Sequence, residues 1–286
     1  MNISLHSYAK INLALDVGRL RPDGFHDIHT VFLAVDLADR ICLECTEQPG
    51  IILEVTGDAP DGPENLAWQA GELILQASGF PGGLRISIEK NIPMQAGLGG
   101  GSSNAAAVLL GAAKLFGYKG DLAPMALRLG SDAPFFLLSG TAEGRGRGEA
   151  LAALPEPPPL SFLLVRPDTG VSTAQAYRRL DELGQVKRCM ERGWAIRCIE
   201  AIQAGDRQRL IESLGNDFER VVLNDYPEID DIKKRLLKNG AEAALLSGSG
   251  SCVFGVFPDS EQAAQAAENF IGLWHAVAHP ACEALV

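Results

Sequence analysis

The sequence predicts an α+β protein built from two domains. At 286 residues the chain exceeds the usual size of one domain. Its first part carries strand signals, a glycine-rich segment and a helix, and its second part mixes strand and helix patterns. Between them lies Pro155-Glu156-Pro157-Pro158-Pro159, which can be neither helix nor central strand. We therefore expect one domain over residues 1–154 and another over residues 155–286.

The first domain combines strands with two helices. Residues 84–89 alternate apolar and polar side chains, which places the apolar ones on one face of a strand. An Ala- and Leu-rich segment follows the glycines and stops at Gly117, as a helix with a glycine C-cap does. The further predicted elements are strands over residues 41–43 and 51–55, and helices over residues 105–116 and 122–129, the latter closed by Gly130.

Short apolar runs and amphipathic stretches alternate in the second domain. The runs have the length of buried strands, and the stretches have helical periodicity. Strands are predicted over residues 162–165, 243–246, 253–257 and 276–279, and helices over residues 174–183, 194–204, 229–238 and 261–270.

Residues 142–149 alternate glycine with arginine and glutamate. An Arg-Gly segment that binds nucleic acid is one interpretation, but the segment is short and its two glutamates balance its arginines. Glycines inside a strand commonly mark a bend or bulge. The favoured interpretation is a twisted or bulged strand that closes the first domain.

Composition and charge restrict the class of protein. The 47% hydrophobic and 21% charged residues are typical of soluble globular proteins. A net charge of -11 argues against nucleic acid as a partner. The longest apolar stretch, residues 105–113, is far shorter than the roughly 20 residues that span a bilayer, and no signal-peptide pattern begins the chain. We expect a cytoplasmic protein without a membrane partner, as a monomer or weak homodimer.

The six cysteines are scattered, which fits reduced thiols in a reducing compartment. Cys42 and Cys45 could form half of a zinc site. They lack a second Cys pair or nearby His pair, and they lie in a segment with strand character. A structural role is the favoured interpretation, and no metal ligands are assigned.

The glycine-serine run of residues 97–103 is the strongest chemical signal. Glycines let backbone N–H groups approach an anion closely, and the N-terminus of the following helix adds unpaired donors and a positive dipole end. The run matches neither GxxxxGK[ST] nor GxGxxG. A flexible turn is the alternative, although so many glycines are entropically costly without a ligand. The run therefore predicts a phosphate-binding loop.

Three segments resemble, in order, the motifs of the GHMP kinases, the superfamily that includes galactokinase, homoserine kinase and mevalonate kinase. The segments are Ser7-Tyr8-Ala9-Lys10-Ile11-Asn12-Leu13, Pro93-x-x-x-Gly97-Leu98-Gly99-x-Gly101-Ser102-Ser103, and residues 246–255. The resemblance implies an N-terminal domain similar to the ribosomal protein S5 domain 2-like fold, a ferredoxin-like C-terminal domain, and an active site in the cleft between them. It also implies ATP and Mg²⁺ as cofactors.

Within the superfamily, further segments are similar to the kinases that phosphorylate the 2-hydroxyl of 4-diphosphocytidyl-2-C-methyl-D-erythritol in the non-mevalonate isoprenoid pathway. These segments are residues 21–26, 64–66, 99–104, 130–135 and 216–219. The acceptor implied by the resemblance is this cytidine diphosphate-linked methylerythritol. Alternatives are another GHMP kinase, acting on homoserine or a mevalonate derivative, and a non-catalytic ligand sensor with the same fold.

The resemblance implies a catalytic pair. Asp132 would take the proton from the attacking hydroxyl, and Lys10 would hold that carboxylate and favour the developing alkoxide. An aspartate is a weak base, but phosphoryl transfer depends mainly on positioning and charge stabilisation. Without the resemblance, a solvated strand residue and a helix-end cap would be the ordinary interpretations of Lys10 and Asp132.

The resemblance also implies two binding regions. For the acceptor, His26 would hydrogen-bond the cytosine and Phe25 would stack on it, although many relatives have Tyr at this position; Asn12 and Thr173 would contact the methylerythritol. For ATP, the implied residues are Asn65, Leu66, Lys90, Pro93, Gly97, Leu98, Gly99, Gly100, Gly101, Ser102, Ser103 and Asn104. The ordinary alternatives are a turn asparagine for Asn65, a core leucine, a strand-end lysine and a helix-capping Asn104. The turn Gly248-Ser249-Gly250 is predicted between two strands, with a ligand role left open.

Overall fold

Two β-sheets with helices packed against them make up the computed structural model, which describes residues 1–184 and 193–281. In chain order the elements before the proline-rich segment are β1 (Asn2–Leu20), β2 (His26–Thr46), β3 (Gly50–Thr56), α1 (Leu66–Ser78), β4 (Gly83–Glu89), α2 (Gly100–Phe116), α3 (Ala123–Leu129), α4 (Ala133–Leu138), β5 (Thr141–Gly146) and β6 (Ala150–Ala153). The described elements after it are β7 (Ser161–Arg166), α5 (Thr173–Glu182), α6 (Trp194–Ala204), α7 (Arg207–Ser213), β8 (Gly215–Asn216), α8 (Glu219–Asp225), α9 (Pro227–Lys238), β9 (Ala243–Leu246), β10 (Val253–Phe257), α10 (Ser260–Ala267), a 3-10 turn (Glu268–Phe270) and β11 (Trp274–Ala278).

The first sheet is built around the long antiparallel pair β1 and β2. Its order is β3-β4-β2-β1-β8, and β5 pairs with the N-terminal part of β2 and carries β6 on its other edge. The register of β1 against β2 shifts between Tyr8 and Ala9 and again between Asn12 and Ala14. Such irregularities bend a ribbon and re-aim its side chains. The middle of β1 is buried along its length, because α2 and α6 both pack against it.

The predicted α2 is confirmed at its C-terminus but begins earlier than expected. Gly117 has a φ of 68° and its N–H bonds to the Ala113 carbonyl, as in a glycine C-cap. The helix starts at Gly100 and not at residue 105, so the last two glycines of the run are helical. Buried alanines let this helix approach β1 closely. Gly130 closes α3 as predicted, with a φ of 163° that is extended and not left-handed.

The second sheet is antiparallel, with the order β11-β7-β10-β9. Chain order from strand β7 through helices to β9 and β10, then α10 and β11, is the β-α-β-β-α-β arrangement of a ferredoxin-like domain, here with several helices in the first crossover. The predicted strands at 243–246 and 253–257 are confirmed at both ends. The last predicted helix ends at Ala267, and its final residues form the 3-10 turn.

The two sheets share one hydrophobic core. Ile11 of β1, Phe162 of β7 and Phe254 of β10 belong to the same buried cluster. In addition, β8 lies beyond the proline-rich segment in sequence but pairs with β1, where Ala14 faces Gly215 and Leu15 faces Asn216. Residues 155–159 connect β6 to β7. A division at residues 154 and 155 stays a proposal, since the chain crosses back to the first sheet.

Residues 142–149 form a strand and a turn. β5 ends at Gly146, and the chain reverses into β6 through Gly146 and Gly148, whose φ values are 72° and 104°. The strand interpretation is confirmed for the first part of the segment. It is wrong for the last residues, which are the hairpin turn because positive φ values suit glycine in tight reversals.

The four cysteines in the described part of the chain are all free thiols, and they differ in exposure. Cys42 and Cys45 are half-buried in β2, and Cys198 and Cys252 are buried. Burial raises the pKa of Cys198 and of Cys252 to about 12. Cys189 and Cys282 lie outside the described residues. Among the helices of the described residues, none has the length and hydropathy of a membrane span.

Candidate active site

Lys10 and Asp132 meet at the inner wall of a cleft between the two sheets. Lys10 lies in β1 and Asp132 directly precedes α4, and 3.5 Å separate the Lys10 Nζ and Asp132 Oδ2 atoms. The lysine side chain is 4% exposed and the aspartate 35% exposed. Asp132 occupies the N-cap position of α4, but its side chain makes no capping hydrogen bond to that helix. Its carboxylate faces a buried cation instead.

The orientation of Lys10 is set by its neighbours on β1. Residues two apart on a strand share a face, and the Lys10 Nζ donates to the Asn12 Oδ1 over 2.8 Å. The Asn12 Nδ2 donates to the Thr30 Oγ1 over 2.8 Å, and the Thr30 hydroxyl donates to the Ala14 carbonyl over 2.7 Å. This chain fixes which end of the amide faces the ammonium group. An ammonium has three donors, so Lys10 can hold Asn12 and Asp132 and still reach an anionic group in the cleft.

The glycine loop requires glycine at two positions. Gly97 and Gly99 have φ values of 73° and 70°, in the left-handed region. A Cβ on Gly97 would lie 2.0 Å from the Ser247 carbonyl oxygen, and one on Gly99 would lie 2.8 Å from Phe136 Cζ. The Lys10 N–H donates to the Leu98 carbonyl over 2.9 Å, which ties the loop to β1. Close packing against the Ser247 backbone and the Phe136 side chain thus determines the shape of the loop.

A cavity of about 310 Å³ lies over the glycine loop and the N-terminus of α2. The first turn of α2 contains no acidic residue, and the free N–H groups of a helix N-terminus favour an anion. The residues predicted for ATP that line this cavity are Asn65, Leu66, Lys90, Pro93, Gly97, Leu98, Gly99, Gly100, Gly101, Ser102 and Asn104. Ser103 is the exception: it is fully buried, and its Oγ accepts a hydrogen bond of 2.7 Å from the Ser7 hydroxyl.

A buried carboxylate, Asp39, organises the edge of this cavity and was missed by sequence reasoning. It is fully buried and accepts from the Lys90 Nζ over 2.5 Å and from the Asn104 Nδ2 over 2.8 Å. The backbone N–H groups of Asn91 and Ile92 donate to its other oxygen over 2.7 and 2.8 Å. Buried charge is tolerated when it is paired and hydrogen-bonded in this way. Asp39 therefore holds Lys90 and the chain leading into the glycine loop.

Asn65 and Asn104 differ in whether they cap a helix. Asn104 lies inside α2, so its interpretation as a helix cap is wrong; its side chain also donates to the Ser7 hydroxyl over 2.9 Å. Asn65 is the N-cap of α1, where its Oδ1 accepts from the Ala67 N–H over 2.9 Å. Its Nδ2 donates to the Pro60 carbonyl over 2.7 Å. Both side chains thus have structural partners at the cavity rim.

A larger cleft of about 720 Å³ opens on the other side of the loop. All the residues predicted to bind or activate the acceptor line it, namely Lys10, Asn12, Phe25, His26, Asp132 and Thr173. The two cavities share Gln95, Gly97 and Gly99 as a common wall. Groups bound in the two cavities can therefore meet at this wall, close to Lys10, which lines the larger cleft.

One part of the cleft lining is aromatic and charged. Phe25 is 49% exposed, and the Arg147 guanidinium lies 4.6 Å from its ring centroid. The buried His26 ring stacks on Tyr177, with centroids 4.7 Å apart and an interplanar angle of 9°. Its Nε2 atom lies 2.9 Å from Asp181 Oδ1. Tyr177 and Asp181 are one helical turn apart on α5, a spacing readable in the sequence.

Tyr177 is neutral at physiological pH. Burial raises the pKa of its phenol to about 12, and the Asp132 carboxylate adds to the rise. Its ring meets Phe218 edge-on, with centroids 4.8 Å apart. The tyrosine thus forms a fixed wall of the cleft.

The turn between β9 and β10 lines the larger cleft and packs on the glycine loop. The Ser247 hydroxyl donates to the Gly97 carbonyl over 3.0 Å, and the Ser249 hydroxyl lies 2.7 Å from the Thr173 hydroxyl. The Asn216 Nδ2 donates to the carbonyls of Leu246 and Gly248, each over 2.7 Å. The predicted turn between strands is confirmed, since β9 and β10 pair antiparallel.

Comparison with known proteins assigns the family. The profile described as GHMP kinases N terminal domain matches residues 65–140, and the one described as GHMP kinases C terminal matches residues 198–275. The chain is also 48% identical over 273 residues to 4-diphosphocytidyl-2-C-methyl-D-erythritol kinase of Moorella thermoacetica, covering 93% of this chain and 94% of the relative. This chain belongs to the GHMP kinases.

Solved structures agree with this family. A crystal structure of 4-(cytidine 5'-diphospho)-2C-methyl-D-erythritol kinase superposes with a TM-score of 0.83 at 36% identity, covering 98% of this chain and 100% of that one. Homoserine kinase from Cytophaga hutchinsonii superposes with a TM-score of 0.75 at 22% identity, covering 98% and 94%, which shows the shared fold alone. The predicted two-domain GHMP kinase fold is confirmed.

As a GHMP kinase, the protein is an enzyme that uses ATP and acts on a small molecule. The structure brings the predicted site residues to two adjoining cavities, apart from Ser103. The residues that sequence reasoning missed are Asp39, Arg147, Tyr177, Asp181 and Asn216. Each acts through a partner distant in sequence, so a local pattern gave little signal for most of them.

Proposed function

We propose that this GHMP kinase transfers the γ-phosphate of ATP to the 2-hydroxyl of 4-diphosphocytidyl-2-C-methyl-D-erythritol, giving the 2-phosphate and ADP. The observation that carries the proposal is the larger cleft, which is lined both by the Lys10–Asp132 pair and by the aromatic side chains of Phe25, His26 and Tyr177. An acceptor that carries both a nucleobase and an alcohol matches such a lining. The near-full-length relatives bear the name of this enzyme.

In the proposed reaction, ATP lies with its phosphates along the glycine loop. The N–H groups of the loop and of the first turn of α2 hold the phosphate oxygens. The acceptor hydroxyl lies at the shared wall formed by Gly97 and Gly99, opposite the γ-phosphate, so that attack is in line. The two cavities then supply the two reactants from opposite sides of one contact region.

Asp132 accepts the proton of the attacking hydroxyl, and the new O–P bond forms as the bond to the ADP oxygen breaks. A weak base suffices because little negative charge develops on the attacking oxygen before phosphoryl transfer is advanced. The Lys10 ammonium, held by Asn12 at 2.8 Å, stabilises negative charge on the acceptor oxygen and on the transferred group. Its low exposure strengthens this interaction.

Mg²⁺ would be held mainly by the ATP phosphates and by the Ser102 hydroxyl. Within the described residues, no cluster of three carboxylate, His or Cys side chains could hold a metal ion alone, and Mg²⁺ ordinarily binds through few protein ligands together with phosphates and water. Ser102 lines the ATP cavity at the start of α2, beside Gly130, so the donor set fits. When bound, the ion neutralises charge on the phosphates.

The proposal is tested by mixing the protein with MgATP and each candidate acceptor. ADP release and acceptor mass are followed for the cytidyl substrate, homoserine, mevalonate and phosphomevalonate. We expect phosphorylation of the cytidyl substrate alone. Turnover of homoserine or a mevalonate derivative, with the cytidyl substrate untouched, would replace the assignment by another GHMP kinase activity. Tight ATP binding without any turnover would indicate a sensor.

The role of Asp132 is tested by Asp132→Asn, which keeps the size of the side chain but removes the base. We expect retained ATP binding and a loss of kcat by about two to four orders of magnitude. Asp121→Asn is the matched control, because Asp121 is exposed at the start of α3, where its Oδ1 accepts from the Ala123 N–H, and asparagine can serve the same role. Near-parental turnover of Asp132→Asn removes this residue from the mechanism.

The same proposal places the enzyme in the cytoplasm as a monomer or weak homodimer, without nucleic-acid or membrane partners. Its net charge of -11 supports the absence of nucleic acid. Sedimentation velocity across a concentration series measures the oligomeric state. A tight dimer at all concentrations would contradict this part of the proposal.

A further inference from the structure

We infer that Asp181 selects cytosine over uracil in the acceptor by fixing the tautomer of His26. Asp181 is thus a specificity-determining residue that acts through the histidine. The inference rests on the proposed function for its substrate. Its structural part, the tautomer of His26, can be tested without any substrate.

The His26 ring is held on one face and at one edge. Its side chain is 5% exposed, and the ring lies parallel to Tyr177 with an interplanar angle of 9°. Its Nε2 atom faces Asp181 Oδ1 at 2.9 Å. Tyr177 and Asp181 both lie on α5, so a single helix fixes the rotation of the ring and the partner of its Nε2.

The partner determines which nitrogen carries the proton. A carboxylate accepts hydrogen bonds and has no proton to donate, so in neutral His26 the Nε2 carries the hydrogen and donates it to Asp181. The Nδ1 atom then presents a lone pair. Within residues 1–184 and 193–281, Nδ1 of His26 has no protein hydrogen-bond partner, and His26 lines the acceptor cleft. The cleft therefore contains a hydrogen-bond acceptor that can distinguish one nucleobase from another.

Cytosine and uracil differ at the group that meets such an acceptor. The exocyclic N4 of cytosine is a donor, whereas the O4 of the other pyrimidine is an acceptor. An Nδ1 lone pair accepts from the amino group of cytosine and repels the carbonyl of uracil in the same pose. The opposite tautomer would reverse this preference, so the hydrogen bond from His26 to Asp181 sets which of the two bases is preferred.

The first experiment compares cytidine and uridine forms of the acceptor with the parent enzyme, Asp181→Asn and Glu182→Gln. An asparagine amide can either accept from or donate to His26, so Asp181→Asn permits both tautomers. We expect the ratio of kcat/KM for the cytidine form over the uridine form to fall at least tenfold in Asp181→Asn. Glu182→Gln removes the same charge one residue away, from a side chain that pairs with Arg179, and leaves the ratio at the parental value.

The second experiment needs no substrate. The ring ¹⁵N shifts of His26 in the ligand-free protein, assigned by the signals lost in His26→Gln, report which nitrogen carries the proton. We expect the Nε2–H form in the parent and a mixture of both forms in Asp181→Asn. A dominant Nδ1–H form in the parent, or the pure Nε2–H form in the variant, overturns the inference.

The two experiments distinguish a failure of the proposed function from a failure of the inference about Asp181. A parent enzyme that does not phosphorylate the cytidine form refutes the proposed function, and the ¹⁵N shifts then still decide the tautomer. A parent enzyme that prefers the cytidine form while Asp181→Asn keeps the parental ratio refutes the inference and leaves the proposed function intact.

Discussion

Replacing Gly97 by alanine should separate the loop from the turn that packs on it. The Cβ of Gly97→Ala would lie 2.0 Å from the Ser247 carbonyl oxygen, well inside van der Waals contact, and the residue would keep a φ of 73°. A left-handed alanine costs about 1–2 kcal/mol. Loss of the hydrogen bond from Ser247 to the Gly97 carbonyl adds about 0.5–1.5 kcal/mol. We therefore expect a destabilisation of about 1.5–3.5 kcal/mol.

Gly101→Ala is the matched control in the same loop. Gly101 is helical, and the nearest atom to its added Cβ is Leu66 Cδ1 at 3.7 Å, an ordinary contact. Glycine inside a helix is less favourable than alanine by about 0.5–1 kcal/mol. The control should therefore be as stable as the parent or slightly more stable.

Urea unfolding of the ligand-free proteins, followed by far-UV circular dichroism, measures the difference. At about 2–4 °C per kcal/mol, the Gly97 variant should also melt roughly 3–14 °C below the parent. In the same variant the KM for ATP should rise, because the phosphate loop and the turn no longer fit. Equal urea midpoints for parent and Gly97→Ala would show that the turn yields without cost, which refutes the close-packing argument.

Three further outcomes are expected. Lys10→Met removes the buried ammonium group that stabilises negative charge on the acceptor oxygen and on the transferred group, and it should lower kcat about 100-fold in steady-state assays, with ATP affinity within threefold of the parent. Asn216→Asp should lower the free energy of unfolding by about 3 kcal/mol, because a carboxylate oxygen would face the two carbonyl oxygens to which the amide now donates. Urea unfolding measures the change, and an unchanged urea midpoint would argue against those hydrogen bonds. Iodoacetamide at pH 8 should modify Cys42 before Cys198 and Cys252, whose raised pKa values of about 12 leave little thiolate at that pH. Peptide mapping gives the order of modification, and equal rates at all three thiols would contradict the burial of Cys198 and Cys252.

Elements with a strong local pattern were predictable from the sequence. The strand at residues 84–89, the two strands around the Gly248 turn and the C-terminus of α2 all follow from alternation, apolar runs or a glycine cap. Helix α1 was missed, although Asn65 caps it. β8 was also missed, because a strand of two residues exists only through its pairing with β1.

For the candidate site, the sequence predicted which residues line the cavities but not every side-chain contact. Family motifs identified the residues around both cavities, and Lys10 and Asp132 are brought within 3.5 Å as the resemblance implied. Asp39 gave no signal, because its partners come from a distant loop and helix. Ser103 shows the converse: it belongs to a motif but its hydroxyl is occupied by Ser7. Sequence indicates which segments meet, whereas the direction of each side chain depends on packing.

The return of the chain to β1 through β8 bears on how the enzyme can move. A kinase whose two domains are joined by a single linker could open by a hinge motion about that linker. Here the second half crosses back to pair with β1, and Asn216 at that crossing also holds the turn over the phosphate loop. Opening the halves would break strand pairing, the shared core and that turn together. We therefore expect substrates to enter by movement of loops at the rim, such as the segment carrying Phe25, on a frame that stays rigid through the catalytic cycle.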